Sequence, residues 1–219
     1  MQHEFSRTPP RHRVLLPSVP VSTLPGLNQL LVEYGPLAQA FSAEGFSLYA
    51  VGGCVRDAIL EGEHASDDID FTTNARPDDI LRLIAPFCTT TWEMGRAFGT
   101  IGGQLKSNKK KIEVTTFRSE QYVDHSRKPD VVFGDSLEVD LSRRDFTINA
   151  MAFDLVNPEL IQPADGLSDL NAKRLRTPID AAILFNDDPL RMLRAARFAS
   201  RFEFEIDQEI EQAAAAMAE

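Results

Sequence analysis

Hydrophobic and polar positions follow two rhythms along this chain. The change from one to the other organises the reading. Phe46–Val51 (FSLYAV) is a short apolar run with glycine on either side, the pattern of a buried strand. Ile69–Thr72, Thr100–Leu105, Lys111–Phe117 and the stretch from about Ala150 to Leu155 predict further strands. In Lys111–Phe117, Ile112 and Val114 fall on one side and Glu113 on the other. Ser107-Asn108, flanked by lysines, marks an exposed hairpin turn between two of these strands. Helical patterning predicts helices over about Leu37–Ala43, from Gly52-Gly53 to about Leu60, from Pro77 to about Ala85, and around Ser136–Ser142. A later helix runs from Pro189 to about Arg201, with Asp188 as its N-cap, and a last one over about Asp207–Glu219. Residues 118–135 read as a polar loop, and Pro158 and Asp165-Gly166 as turns.

Strands and helices mix up to about residue 155, and helices alone dominate after 180. The expected fold is therefore an α/β (α+β) head followed by the start of an all-α domain. The expected boundaries are a flexible arm at 1–25, the head at 26–178, and a partial helical domain at 179–219. The last helix is still running at Glu219, as expected of a piece of a longer protein.

Composition narrows the classes. With 219 residues, 43% hydrophobic and 26% charged, the chain has ordinary globular usage, which excludes collagen, coiled coil and wholesale disorder. Pro17, Pro20 and Pro25 break the longest uncharged run, Val14–Val32, so no transmembrane helix is expected. The N-terminus carries Arg7, Arg11 and Arg13 without a small-residue cleavage site, so no signal peptide is expected. Cys54 and Cys88 lie too far apart in sequence for zinc spacing and form no disulfide framework, which points to the reducing cytoplasm. The net charge of −10 makes the chain a poor general polyanion binder. A nucleic-acid partner would have to be held at local basic patches or by parts outside this chain.

Five segments could carry chemistry. In Asp68-Ile69-Asp70, strand geometry puts both carboxylates on one face, about 6.5 Å apart at Cα. Such a pair can hold Mg²⁺ together with substrate phosphates, or can simply be a solvated acidic turn. Gly52-Gly53 joins a strand to a helix whose first N–H groups could meet a phosphate, and Arg56 could add a guanidinium fork; a plain strand-to-helix turn has the same pattern. Glu113 could complete a carboxylate triad or face solvent. Arg144, Asp145 and Asn149, set among core-like Phe146 and Ile148, could line a cleft or form a buried ion pair. Asp188 and Arg191, followed by Arg194, Arg197 and Arg201, form a stripe on the last long helix. An adjacent carboxylate and guanidinium can read the edge of a base, and the same residues also suit a solvated surface helix.

Taken in order over roughly residues 46–206, these segments resemble the head and neck of class II tRNA nucleotidyltransferases, the CCA-adding enzymes. Bacterial poly(A) polymerases share that family within the polymerase-β-like superfamily. The resemblance implies a nucleotidyltransferase head followed by the start of the neck. It makes Asp68 and Asp70 the Mg²⁺ ligands and Glu113 the third catalytic carboxylate. Gly53 and Arg56 become the triphosphate turn. Arg144, Asp145 and Asn149 hold the nucleotide, with the aspartate at the ribose. Asp188 and Arg191 pair with an incoming C or A, and Arg194 and Arg197 add contacts. Tyr122–Asp130 is similar to a flexible loop that CC-only members lack. The chain departs from the family at Asp187, which stands where the template motif has glutamate. The implied reaction adds C, C and A to the tRNA 3′ end from CTP and ATP, with two Mg²⁺ ions and release of pyrophosphate. Poly(A) polymerase, CC-only and A-only activities share the same head, and a non-catalytic RNA-binding relative would keep the fold.

Overall fold

The computed structural model describes residues 24–61, 68–121, 130–134 and 136–217. The alternation of apolar and polar side chains builds a seven-stranded sheet in the order β3-β4-β5-β2-β1-β8-β9. Its strands are β1 (Leu48–Val51), β2 (Asp68–Thr73), β3 (Cys88–Trp92), β4 (Thr100–Leu105), β5 (Lys111–Thr116), β8 (Ala152–Asp154) and β9 (Glu159–Ile161). Within this sheet, among the described residues, only β2 and β5 pair in parallel; every other neighbour is antiparallel.

One face of this sheet is apolar. Ile69, Phe71, Ile101, Ile112 and Val114 all point into it and are buried. Helices α1 (Pro25–Ala43), α2 (Gly53–Glu61) and α3 (Pro77–Ile84) close that side, with Leu27, Leu30, Phe41, Val55 and Ile80 joining one core. The opposite face carries the intervening residues, Asp68, Asp70, Glu113 and Gly102 among them. The period of two along each strand thus separates core from chemistry.

The C-terminal helices α6 (Ala181–Asp187), α7 (Leu190–Phe202) and α8 (Gln208–Met217) bury Leu184, Phe185, Ala195, Phe198 and Ile210 in the same apolar cluster as the sheet. A two-stranded parallel ribbon of β10 (Arg174–Leu175) and β11 (Glu205–Ile206) ties the two parts together.

Several elements differ from the sequence expectation. The first helix begins at Pro25, not near Leu37, and continues through Pro36. Proline there removes one helical hydrogen bond, but Leu27, Leu30, Tyr34, Leu37, Ala38 and Phe41 form a continuous buried stripe that outweighs the loss. The segment expected to be loop contains β6 (Arg118–Gln121) and β7 (Asp130–Phe133), an antiparallel pair. The similar-looking loop at 122–129, and the expected arm over 1–23, lie outside the described residues. β3, β9, α5 (Gly166–Asn171) and α6 were not anticipated; all are short, and their pattern is too brief to register as a period. Helix α4 (Leu137–Ser142) forms as expected, with Ser136 Oγ accepting the Val139 N–H. Asp188 is not the residue immediately before α7: Pro189 takes that place, and the Asp188 carboxylate accepts the Leu190 N–H at 3.0 Å.

Candidate active site

The strand register assembles the acidic site. Asp70 on β2 is paired directly with Glu113 on β5, and Asp68 with Lys111. Residues opposite one another in a sheet project from the same face, so Asp68, Asp70 and Glu113 share one surface. All three are exposed, and Ile69 between the aspartates is fully buried. Asp70 opens to solvent yet has lost enough hydration to raise its pKa. Arg144 opposes that rise, and the Glu113 and Asp68 charges add to it. Asp70 is therefore the carboxylate that feels both its acidic neighbours and Arg144.

The paired-glycine bend lies beside them. Gly52 has φ of 72°, a left-handed conformation that favours glycine. A side-chain carbon built on it would stand 3.2 Å from Arg144 Nη1 and 3.9 Å from Asp70 Oδ2. Gly53 begins α2, so its helix N-terminus opens next to the acids and to the Arg144 guanidinium. Behind this bend the Cys54 thiol donates to the Val51 carbonyl at 3.2 Å. Full burial, with the Asp70 charge adding to it, pushes the Cys54 pKa up to about 12, so it is no nucleophile.

Arg144 is aimed by a residue that the sequence reading passed over. Asp140 is fully buried at the C-terminal side of α4. Its carboxylate accepts from Arg143 Nη2 at 2.9 Å, Arg144 Nη2 at 3.2 Å and the Thr72 hydroxyl at 3.2 Å. The Arg118 main-chain N–H adds a bond at 3.3 Å. Burial acts to raise the Asp140 pKa, but the Arg144 and Arg143 charges override it, and the net shift is downward. The signal in the sequence was the spacing, since Asp140, Arg143 and Arg144 stand at i, i+3 and i+4.

Arg56, expected as an open phosphate fork, is turned inward and only 4% exposed. Its Nε donates to Asp57 at 2.7 Å and its Nη1 to Asn149 Oδ1. Its guanidinium stacks 4.7 Å from the Phe202 ring and 5.4 Å from Phe198. Asp145 is similarly engaged. Oδ1 accepts from the Phe146 N–H at 2.8 Å and Asn149 Nδ2 at 3.0 Å, while Oδ2 accepts from Arg194 Nε at 2.9 Å and from its Nη2. These four donors fill the roughly four acceptor positions of a carboxylate.

Along α7 the arginines do not form one solvated stripe. Arg191 is buried on the same face as Ala195 and Phe198, and its Nη2 donates to the Arg143 carbonyl at 2.9 Å. Arg194 and Arg197 are exposed, with guanidinium groups 5.7 and 5.6 Å from the Phe198 ring. Asp188 lies half-buried one turn ahead of Arg191. Arg56, Asn149, Asp145 and Arg194 thus form a continuous chain from α2 to α7.

The oxygen-only donor set at Asp68, Asp70 and Glu113 suits Mg²⁺. Among the described residues, no three His, Cys, Asp or Glu side chains form a group able to hold a metal ion by themselves. A cation here would need oxygens from its substrate, the usual habit of Mg²⁺ with phosphates.

Residues 48–176 match the family described as the Poly A polymerase head domain. A CCA-adding enzyme of Listeria innocua is 38% identical over 188 residues, covering 85% of this chain and 46% of that protein. The solved structure of the Bacillus stearothermophilus CCA-adding enzyme in complex with CTP has a TM-score of 0.71 at 35% identity, covering 86% of this chain and 42% of that one. A tRNA nucleotidyltransferase complexed with a primer tRNA and an incoming ATP analog has a TM-score of 0.68 at 33% identity, covering 83% of this chain and 50% of that one. The chain thus spans about half the length of the curated relatives it matches. Its fold is the mixed α/β polymerase-β-like nucleotidyltransferase head, with the neck covered in part. Among the described residues no helix is long and apolar enough to cross a membrane.

Proposed function

Because the chain belongs to the poly(A) polymerase head family, we propose that it is the catalytic head, 26–178, and partial neck, 179–219, of an enzyme that adds C, C and A to the tRNA 3′ end from CTP and ATP. One observation carries this reading: the Asp70–Glu113 register pair lies beside the Gly52-Gly53 bend, with Arg144 directed at both.

The RNA 3′-oxygen forms a bond to the α-phosphorus as the bond to the β-phosphate oxygen breaks. Pyrophosphate leaves, and the hydroxyl proton passes to solvent. Asp68, Asp70 and Glu113 would hold Mg²⁺, which when bound lowers the pKa of the attacking hydroxyl and neutralises the leaving group. Burial raises the Asp70 pKa and the Glu113 and Asp68 charges add to it against Arg144, so a cation placed among these carboxylates would be favoured. Gly53, at the start of α2, offers main-chain N–H groups to the triphosphate, and Arg144 adds its guanidinium. Catalysis by this head is mainly positioning and electrostatic stabilisation.

Arg56 acts through Asn149, ordering the nucleotide cleft from behind. A ribose hydroxyl reaches Asp145 only by displacing Arg194, which then turns with Arg197 toward the phosphates. Asp188 and Arg191 read the base edge, Arg191 being held in place by the Arg143 carbonyl. The cytoplasm is the compartment this reading assigns, and two buried free cysteines accord with it.

The test is product analysis. A tRNA lacking its 3′ end is incubated with Mg²⁺ and CTP, ATP or both, and the products are sequenced. Addition of C, C and A in that order is expected. A long A ladder would make the chain a poly(A) polymerase head, and no transfer by full-length protein would remove the enzymatic reading.

A further inference from the structure

Beyond Glu113, away from the glycine bend, the sheet holds a feature that the nucleotide does not use. The register places Trp92 opposite Gly102 and Gly102 opposite Glu113, which itself faces Asp70. These four positions form one row on one face. A side-chain carbon at Gly102 would fall 2.0 Å from Trp92 Nε1, so the indole lies down over that glycine, one strand from the carboxylate. Beside it is a depression of about 380 Å³ lined by Trp92, Met94, Phe98, Glu113 and Arg118. Met94 is 91% exposed and Phe98 42% exposed, so apolar surface is offered to solvent next to a catalytic carboxylate.

The rim of this depression carries exposed ion pairs and two hydrogen bonds. Arg96 pairs with both Asp78 and Glu93, which ties the short turn Arg96–Phe98 to α3 and to the end of β3. Arg118 Nη1 donates to the Phe98 carbonyl at 2.8 Å, and the Arg118 main chain is anchored to Asp140.

In-line phosphoryl chemistry fixes what belongs there. The attacking oxygen must approach opposite the leaving pyrophosphate. The strand order sets the glycine bend on the β1 side of Asp70 and the depression on the β4–β3 side of Glu113. With the triphosphate on the first side, the acceptor RNA must enter from the second. The volume admits a nucleobase with part of its sugar, and an indole face accepts any base by stacking. Arg118 places a cation where a backbone phosphate would pass.

We propose that Trp92, Phe98 and Arg118 form the subsite for the 3′-terminal nucleoside of the acceptor RNA, its base stacked on the Trp92 indole and its 3′-oxygen delivered to Glu113 and Asp70. This rests on the nucleotidyl-transfer reading above, and its test is separable from it. Trp92 is the only tryptophan in the chain, so its fluorescence reports on the subsite directly. An acceptor-stem minihelix lacking its CCA end should quench that emission saturably, while CTP alone should not. Trp92→Leu should raise KM for the minihelix about tenfold, equivalent to about 1.4 kcal/mol, with KM for CTP changed less than about twofold. Trp92→Phe, which keeps a stacking ring, should hold the minihelix KM near the wild-type value. Absence of quenching, quenching by CTP alone, or equal rises in both KM values would overturn the subsite. If full-length wild-type protein transfers no nucleotide, the enzymatic reading fails, and quenching by the minihelix still decides where RNA binds.

Discussion

Asp70 and Glu113 lie directly opposite one another on the only parallel strand pair of the main sheet. Their carboxylates leave the same face, and the Glu113 charge adds to the burial that raises the Asp70 pKa. Two like charges held together without a bound cation oppose folding as well as prepare catalysis.

Asp70→Asn should therefore abolish nucleotide transfer while stabilising the metal-free protein. The folded pKa of Asp70 is raised, so its favourable contribution is complete below the ordinary carboxylate value and is lost as pH rises through the folded pKa. The melting temperature of Asp70→Asn should exceed wild type at pH 7, and the gap should close as the pH falls toward 3.8. Calorimetry across that range checks the sign.

Asp140 has the opposite linkage. Its folded pKa is lowered, so the stability it supplies is present above the ordinary carboxylate value of 3.8 and is lost as pH falls through the folded pKa. Asp140→Ala leaves Arg143, Arg144, the Thr72 hydroxyl and the Arg118 N–H without this acceptor. The expected loss is about 3 kcal/mol, at the lower end for a broken buried pair because both arginines retain some solvent. Urea denaturation at pH 7 measures it. A rise in KM for CTP should accompany it, since Arg144 loses its aim.

Gly52→Ala places a methyl group 3.2 Å from Arg144 Nη1 in a left-handed conformation. The conformational cost is about 1–2 kcal/mol. The guanidinium must shift, so transfer should fall more steeply than stability. Steady-state kinetics beside thermal melting separate the two effects.

Arg194→Ala should do little to the fold, because the Arg194 side chain is 45% exposed and its pairing with Asp145 is screened by solvent. A loss below about 1 kcal/mol is expected. The variant frees Asp145 for a ribose hydroxyl but removes a phosphate contact. Binding of CTP should then lose much of its salt dependence, which calorimetric titration at two ionic strengths would reveal.

The alternation in Asp68-Ile69-Asp70 and Ile112-Glu113-Val114 already divided core from chemistry, and the glycines at 52 and 53 announced a bend with a helix behind it. These are local properties, set by the two-residue period of a strand and by backbone sterics, and the chain order alone exposes them. Arg56 and Arg191 were legible as polar residues in the right neighbourhoods but not as residues already engaged with partners, and for Asp145 a buried ion pair was one of two open alternatives, with its partner unnamed. Their bonds reach Asn149, Arg143 and Arg194, and no periodicity encodes a contact across tens of residues. Helix α1 was cut short in the reading because Pro36 is a local breaker, while the burial that carries the helix past it is a tertiary term. Trp92 gave no signal, since its meaning depends on Gly102 and Glu113 two neighbouring strands away.

The sequence by itself determined which side chains could face a site: strand period, glycine bends and helix starts are fixed by covalent geometry and near-neighbour sterics. Tertiary structure alone decided which of them meet. The parallel pairing of β2 with β5 set Glu113 against Asp70, and the docking of α7 turned Arg56 and Arg191, which the sequence left open to solvent, into internal supports. The physical reason is that register and helix docking are chosen by the summed burial of Ile69, Phe71, Ile112, Val114 and Phe198, a quantity that exists only once the whole chain has closed on itself.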